Sequence, residues 1–497
     1  MAKISTAACI GGGVIGGAWA ARFVLAGIDT RIFDPHPEAQ RLTSEVMANA
    51  ERAYEMLTSA PLPVKGTLTF SGSLEEAVRG AEWIQESVPE KLDVKRNVLT
   101  QIDAAADPKA LIGSSTSGLM PTDLQRDMKY PERMFVAHPY NPVYLLPLAE
   151  LVGGTKTTRA ALEDAKVKLA TIGMTGLVIN KEIEAFVGDR LLEAFWREAL
   201  WLIKDGICDT ETLDNVIRYS FGLRWAQMGL FETYRMAGGG AGMRDFLSKY
   251  GPSLSWPWTK LTDVVDLDAD LVEKIAVQSD AQSGQRSVRE LERIRDQNLV
   301  SIMQALKTGD EGRGWGAGKL LAEFEAHLWK TTPQPKPQAS PSNKALRLLT
   351  LKVAPTWIDY NGHMTEYRYT QCFADATEAL LQTIGVDADY VKAGHSYYTV
   401  ESHVRLLAEA KLGDALYVEA QLLPSDGKKI HTFMWLYRTS DGTLLSTYEH
   451  LLLHVSSNEN RSVPPLHGVM RKLKPLIEAH AALPVPDAAG RSVGQRK

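Results

Sequence analysis

Up to about residue 180, short apolar runs of β type alternate with longer stretches of helical periodicity. The β-type runs are STAACIGG, DTRIFD, WIQESV, ALIGSST, RMFVAHP and GLVIN. This alternation predicts βαβ units and a mostly parallel sheet. From about Glu182 to Phe324 helical periodicity takes over. In FVGDRLLEAFWREALWLIKDG, Leu191, Phe195, Ala199 and Leu202 fall on one stripe. The glycine cluster GGGAG at 238–242 and SWPW at 255–258 break this region into several helices.

Residues 331–343, TTPQPKPQASPSN, hold four prolines and one charge, Lys336, and read as a semi-extended linker. A different unit follows. The strand LRLLTLKVA leads to a helix, HMTEYRYTQCFADATEALLQTIG, and then to three or four long β-type runs. The last two are joined at Ser-Asp-Gly-Thr, a hairpin turn. The final 40 residues are Pro- and Ala-rich, with a short helix at best, and no internal repeat is present. The expected organisation is an α/β domain over 1–181, an all-α domain over 182–330, the linker, an α+β domain over 344–456 and an extension over 457–497.

Composition narrows the classes. A chain of 497 residues exceeds one core, and 44% hydrophobic with 23% charged residues is ordinary for a globular protein. A net charge of −5 gives no electrostatic case for nucleic acid or an anionic membrane as partner. Cys9, Cys208 and Cys372 lie far apart with no CxxC, which suggests a reducing compartment and gives no reason to expect a metal. The start of the chain lacks the apolar core of a signal peptide, and glycines with Arg22 interrupt the most apolar window, so a cytoplasmic location is expected.

Candidate chemistry begins at IGGGVIGG. Gly11, Gly13 and Gly16 end the first strand and open a helix at Val14 and Ile15. Such glycines let the backbone approach a pyrophosphate, and the helix N-terminus favours its charge. Asp34 ends the second strand, where a carboxylate can hold a ribose 2′-OH and repel a 2′-phosphate. NAD is therefore expected over NADP, the alternative being that Asp34 merely starts a turn before Pro35.

With these residues the chain resembles the 3-hydroxyacyl-CoA dehydrogenase family through about residue 320, which implies a Rossmann-type doubly wound sheet. Ser117 in SSTSGL stands at the family's catalytic serine, His138 in AHPYNP at its histidine and Glu150 in LAELV at the paired acid. Glu90 and Lys95 in PEKLDVK resemble the pair near the nicotinamide end. The chemistry suits these residue types. Oxidising a secondary alcohol needs a base active near neutral pH, a carboxylate to fix its tautomer and a donor to the substrate oxygen.

One position departs from the family pattern. Asn usually precedes the Arg-Leu-Leu of the first helix after the sheet, and this chain has Asp189. An acid there is unhelpful to a phosphate-rich CoA chain and compatible with a cation, the alternative being a local cap or salt bridge. The helical region also carries Phe195, Trp196, Trp201, Tyr219, Phe221, Trp225, Phe231, Tyr234, Phe246, Tyr250, Trp256 and Trp258. Most are expected in a core or a dimer interface, and two or three could cage a quaternary ammonium.

Residues 344–456 resemble the hot-dog thioesterases of the 4-hydroxybenzoyl-CoA type, through D-x-N-G-H-M, the long helix with Tyr369 and the strands behind it. The resemblance makes Asp359 the group that attacks the thioester or activates water, the alternative being a helix N-cap. Thr365 replaces the usual Asn, and Glu401 in TVESHVRLL is a second carboxylate candidate. His403 and His450 read as satisfied sheet residues.

Together the two halves resemble the carnitine dehydrogenases joined to betainyl-CoA thioesterases. That implies NAD-dependent oxidation of L-carnitine and hydrolysis of betainyl-CoA, each substrate bearing a trimethylammonium group. Trp357, Tyr360, Tyr367, Tyr397 and Tyr398 agree with such a group. A short-chain 3-hydroxyacyl-CoA or L-gulonate-type dehydrogenase remains an alternative for the first half, and a sensor binding NAD and acyl-CoA for the whole. A lone hot-dog unit leaves a sheet edge open, so a homodimer is expected.

Overall fold

The computed structural model describes residues 4–58, 60–237, 242–261, 263–332, 344–353 and 357–493. Residues 238–241 of the glycine-rich break and residues 333–343 of the expected linker lie outside them. The chain divides into two compact units, Met1–Thr332 and Pro333–Lys497.

In the first unit, β1 (Thr6–Ile10), β2 (Asp29–Phe33), β3 (Leu68–Phe70), β4 (Trp83–Glu86), β5 (Leu111–Ser114), β6 (Met134–Pro139), β7 (Leu148–Gly153) and β8 (Thr175–Ile179) form one sheet. Their order is β3-β2-β1-β4-β5-β6-β7-β8, parallel throughout except for β6 against β7. It is a Rossmann-type doubly wound sheet with apolar cores on both faces. Trp19, Trp83 and Phe135 lie in one core, Ile84, Leu99 and Ile112 in the other. The order reverses between β1 and β4, which opens a crevice at the strand C-termini where such sheets bind ligands.

The helical stretch behaves in two ways. Helices Val288–Lys307 and Gly316–Thr331 return to the sheet, where Val300, Met303, Leu321, Phe324 and Leu328 join its core. Helix Gly188–Lys204 buries Leu200 and Ile203, while Leu191, Phe195 and Trp196 on its apolar surface stay exposed. Tyr219, Phe231 and Trp258 are also exposed, so much of the aromatic content lies outside the core of the single chain.

The second unit is an antiparallel sheet of β9 (Leu346–Lys352), β10 (His395–Leu406), β11 (Ala415–Leu422), β12 (Lys429–Arg438), β13 (Leu444–Ser456) and the short β14 (Arg461–Ser462). Its order is β10-β13-β12-β11-β9, with β14 on β13. Helix Glu366–Ile384 lies on one face and packs Cys372, Phe373, Ala376 and Leu380 into the sheet, the hot-dog arrangement. Gly442, at φ +69°, makes the expected turn between β12 and β13. The C-terminal stretch is more structured than its composition suggested. Helix His467–His480 sets Val469 and Leu473 at helical spacing into the core beside Leu380 and Ile384. Among the described residues, no helix is long and apolar enough to cross a membrane.

His450 differs from the sequence expectation of a satisfied sheet residue. It is buried on β13, and neither ring nitrogen has a hydrogen-bond partner; the hydroxyl of Thr432, its neighbour across the β12–β13 ladder, is also unpartnered. Burial first, then nearby His431, pushes the imidazole down to about 4 from its ordinary 6.5. The unfolded chain therefore binds this proton at a higher pH than the folded one, and stability falls as pH drops from 6.5 towards 4. The loss from this group should reach about 3 kcal/mol. Urea unfolding of wild type and His450→Leu at pH 7, 5.5 and 4.5 is expected to show a shallower acid loss in the variant. Parallel losses would refute the assignment.

Candidate active sites

The glycine loop joins β1 to helix Val14–Leu25. Gly11 has φ +100°, and a Cβ there would lie 2.5 Å from the Ser87 carbonyl oxygen; at Gly16 it would lie 1.9 Å from that of Gly11. Packing alone thus demands glycine at both. Gly13 differs, because a Cβ would meet nothing within 4 Å. The protein itself leaves that space open, beside a helix end at Val14 and Ile15 that no side chain caps. Uncapped amides next to an open glycine suit a pyrophosphate. The Asp34 carboxylate accepts from the Gly12 amide at 2.6 Å and from the His36 amide at 2.8 Å. It starts a turn and stands at the glycine loop at once.

The C-terminal end of β4 carries a polar cluster only partly visible in the sequence. Lys95 is buried and donates to Glu86 Oε1 at 2.8 Å and to the Val88 carbonyl at 2.9 Å; Glu90 Oε2 lies 3.4 Å away. Glu86, equally buried, also accepts from the Ser114 hydroxyl at 2.5 Å. Glu86 carries no signal of its own in the sequence, where it lies inside the run WIQESV; in the fold it ends β4. Removing one member of such a buried pair costs roughly 3–5 kcal/mol. Glu90 reaches the neighbouring strand end, accepting from the Thr116 hydroxyl, from the Ser117 amide at 3.1 Å and from the Gly118 amide at 3.4 Å.

Ser117 is exposed just beyond β5, and His138 is near the end of adjacent, parallel β6. His138 and Glu150 are direct cross-strand partners on β6 and β7, so the single antiparallel pairing of the sheet brings them together. Nδ1 of His138 is 3.0 Å from Glu150 Oε2, and both side chains are buried. Tyr140 donates to the same oxygen at 2.8 Å, while Oε1 accepts the amides of Val187 at 3.1 Å and Gly188 at 3.2 Å. Burial pushes the Glu150 carboxyl up, but the bonds from His138, Tyr140 and Gly188 outweigh it and hold the group below the usual range. Burial and the bond to Glu150 push the Tyr140 hydroxyl up, so it stays a donor.

Gly188 is essential to this arrangement, since a Cβ there would fall 1.6 Å from the Tyr140 hydroxyl. The chain reaches it through Ala185 and Phe186, both at positive φ, a costly conformation held by the surrounding contacts. Tyr140 and Gly188 were present in AHPYNP and FVGDRLL, but only the folded chain shows that they converge on Glu150. Asp189 follows directly and places Oδ2 3.5 Å from His138 Nε2.

In the second unit, Asp359 opens a tight loop in front of the long helix. Its Oδ1 accepts the Asn361 amide at 2.8 Å and the His363 amide at 3.4 Å, and Gly362 turns at φ +81°. The N-cap of helix Glu366–Ile384 is Thr365, so the alternative of Asp359 as that cap does not hold. The Thr365 hydroxyl donates to the Trp357 carbonyl at 3.0 Å and serves the loop instead of capping the helix. His363 pairs with Glu409 at 3.0 Å. Tyr369 ties the helix to the loop before β11, accepting the Ala410 amide at 3.0 Å.

Glu401 lies exposed at an irregularity in edge strand β10, and among the described residues no hydrogen bond or ion pair joins it to Asp359. The aromatics proposed for a cation are not gathered. Tyr360 and Tyr398 are exposed, and the Arg368 guanidinium already lies over the rings of Trp357 and Tyr367, at 5.6 and 4.8 Å. Buried Tyr397 pairs with His454, far along β13 from Leu445, which anchors the Ala408–Ala410 loop beside Asp359.

Fold and sites define an NAD-dependent oxidoreductase of the 3-hydroxyacyl-CoA dehydrogenase type joined to a hot-dog thioesterase. Residues 6–183 match the family model of the 3-hydroxyacyl-CoA dehydrogenase NAD binding domain, 186–269 that of its C-terminal domain and 353–473 that of the thioesterase-like superfamily. The chain belongs to the family of L-carnitine dehydrogenase/betainyl-CoA thioesterases. It is 66% identical over 497 residues to the protein of that name from Rhizobium meliloti, with 100% of both chains covered. A protein of the same name from Ruegeria pomeroyi is 50% identical over 99% of each chain. The L-carnitine dehydrogenase of Pseudomonas putida is 46% identical and covers 63% of this chain and 97% of its own. Among solved structures, 5-formyl-3-hydroxy-2-methylpyridine 4-carboxylic acid 5-dehydrogenase, an NAD-dependent dismutase, aligns with TM-score 0.52 at 27% identity, over 61% of this chain and 99% of that one.

Proposed function

We propose that this chain oxidises L-carnitine to 3-dehydrocarnitine with NAD in its first unit and hydrolyses betainyl-CoA to glycine betaine and CoA in its second. The observation that carries the reading is the 66% identity, over the full length of both chains, to a protein whose name states both activities.

In the first unit, Gly11, Gly13 and Gly16, with the amides at Val14 and Ile15, would hold the pyrophosphate, and Asp34 the ribose. Glu90 and Lys95 would line the nicotinamide end. NAD supplies the acceptor for the substrate's hydride. His138 takes the hydroxyl proton on Nε2, because Nδ1 is committed to Glu150. Glu150, held ionised by its four donors, keeps that tautomer and stabilises the imidazolium that forms. Ser117 donates to the substrate oxygen. In the second unit, Asp359 acts on the thioester, with Glu401 as a second carboxylate.

The working form is a cytoplasmic homodimer. Its interface draws support from the exposed Leu191, Phe195 and Trp196, and from Val400 and Leu406 on open edge strand β10. The purified chain is expected to reduce NAD with L-carnitine, and to release CoA from betainyl-CoA. Reduction of NAD with 3-hydroxybutyryl-CoA but not with L-carnitine would overturn the reading.

A further inference from the structure

Resting on that reading, we propose that Asp189 is the specificity-determining anchor for the substrate's quaternary ammonium, placed to read charge on the carbon next to the reacting carbinol. His138 has two ring nitrogens and two carboxylates facing them. Glu150 takes Nδ1, so Nε2 is the nitrogen that meets the hydroxyl; Asp189 Oδ2 lies 3.5 Å from Nε2. In L-carnitine the ammonium nitrogen is joined through one carbon to the carbinol carbon. A hydroxyl held at Nε2 therefore brings that cation within reach of Asp189.

Asp189 stands in the first turn of helix Gly188–Lys204, and among the described residues His138 is its one ion-pair partner. Val187, not Asp189, is the helix N-cap, and no Lys or Arg among the described residues pairs with Asp189. Its side chain is 29% exposed, which leaves it open to an incoming group. A quaternary ammonium cannot donate a hydrogen bond, so it is recognised through charge and through aromatic faces. The Tyr140 ring stands 5.0 Å from that of His138, so an aromatic side chain borders the same histidine. The surroundings are acidic as well. Glu150 faces His138 from the neighbouring strand, and along the strand ends Lys95 stands between Glu86 and Glu90. A substrate with a neutral substituent at this position leaves the carboxylate uncompensated, and one with a phosphate-bearing chain meets repulsion.

The test uses the full chain with L-carnitine and its neutral isostere, in which a tert-butyl carbon replaces the nitrogen. Wild type is expected to favour L-carnitine in kcat/KM. Asp189→Asn should cut that preference roughly tenfold to a hundredfold, mostly through KM for L-carnitine, with NAD affinity by calorimetry unchanged. Asp189→Glu should retain part of the preference. An unchanged preference in Asp189→Asn, or an equal loss on both substrates, overturns the assignment of Asp189 alone. A wild-type chain that reduces NAD with neither substrate overturns the proposed function and this inference with it.

Discussion

Replacing His138 by Ala is expected to lower NAD reduction by about 10²–10⁴-fold and to leave thioester hydrolysis unchanged. The size follows from what is lost. His138 offers Nε2 towards substrate and holds Nδ1 against Glu150 at 3.0 Å inside a buried pocket, where water cannot readily take over as base. The defect should lie in kcat, because proton removal belongs to the transition state, while binding of NAD at the glycine loop persists. Glu150→Gln should also fall in kcat. The four donors that now converge on Glu150 would meet an amide with one acceptor oxygen, and the His138 tautomer would no longer be enforced. Equal loss of both activities in His138→Ala would point to a folding defect, and an unimpaired kcat would remove His138 from the chemistry.

The sequence made part of this pocket legible for physical reasons. Gly11 and Gly16 are forced by close backbone contacts, and residues forced in that way leave a fixed spacing in the chain. The strand runs around them were readable because a sheet buried on both faces requires continuous apolar residues. The antiparallel β7 strand was not among the expected strands, since Glu150 interrupts its apolar run, yet its pairing with β6 is what sets Glu150 against His138. Glu86 and Tyr140 were hidden for a related reason: their partners, Lys95, Ser114 and Glu150, are distant in sequence or lie on another strand, and no local pattern records the meeting. Apolar periodicity also does not say what covers a stripe. Leu191 and Phe195 fit the helical pattern and remain exposed in the single chain. His450 failed in the opposite direction, because a histidine within an apolar strand carries no sign of whether its nitrogens find partners.

Asp359→Asn is expected to reduce betainyl-CoA hydrolysis by about 10²–10⁴-fold while L-carnitine oxidation proceeds at the wild-type rate. The loop geometry makes this a clean substitution. Oδ1 of Asp359 accepts the amides of Asn361 and His363, and the carbonyl oxygen of Asn can accept the same two bonds, so the turn through Gly362 should survive. Among the described residues Oδ2 has no hydrogen-bond partner, and it is the oxygen whose charge the substitution removes. A loss of hydrolysis with thermal unfolding unchanged therefore assigns the chemistry to that oxygen, whereas retained hydrolysis would shift the assignment away from the loop. A single turnover of wild type in 18O water separates the two ways the carboxylate can act. Attack by Oδ2 on the thioester carbon breaks the C–S bond, expels the CoA thiolate and leaves a mixed anhydride on Asp359; water that opens it at the Asp359 carboxyl carbon leaves the label in the protein. Proton abstraction from the attacking water puts the label in glycine betaine.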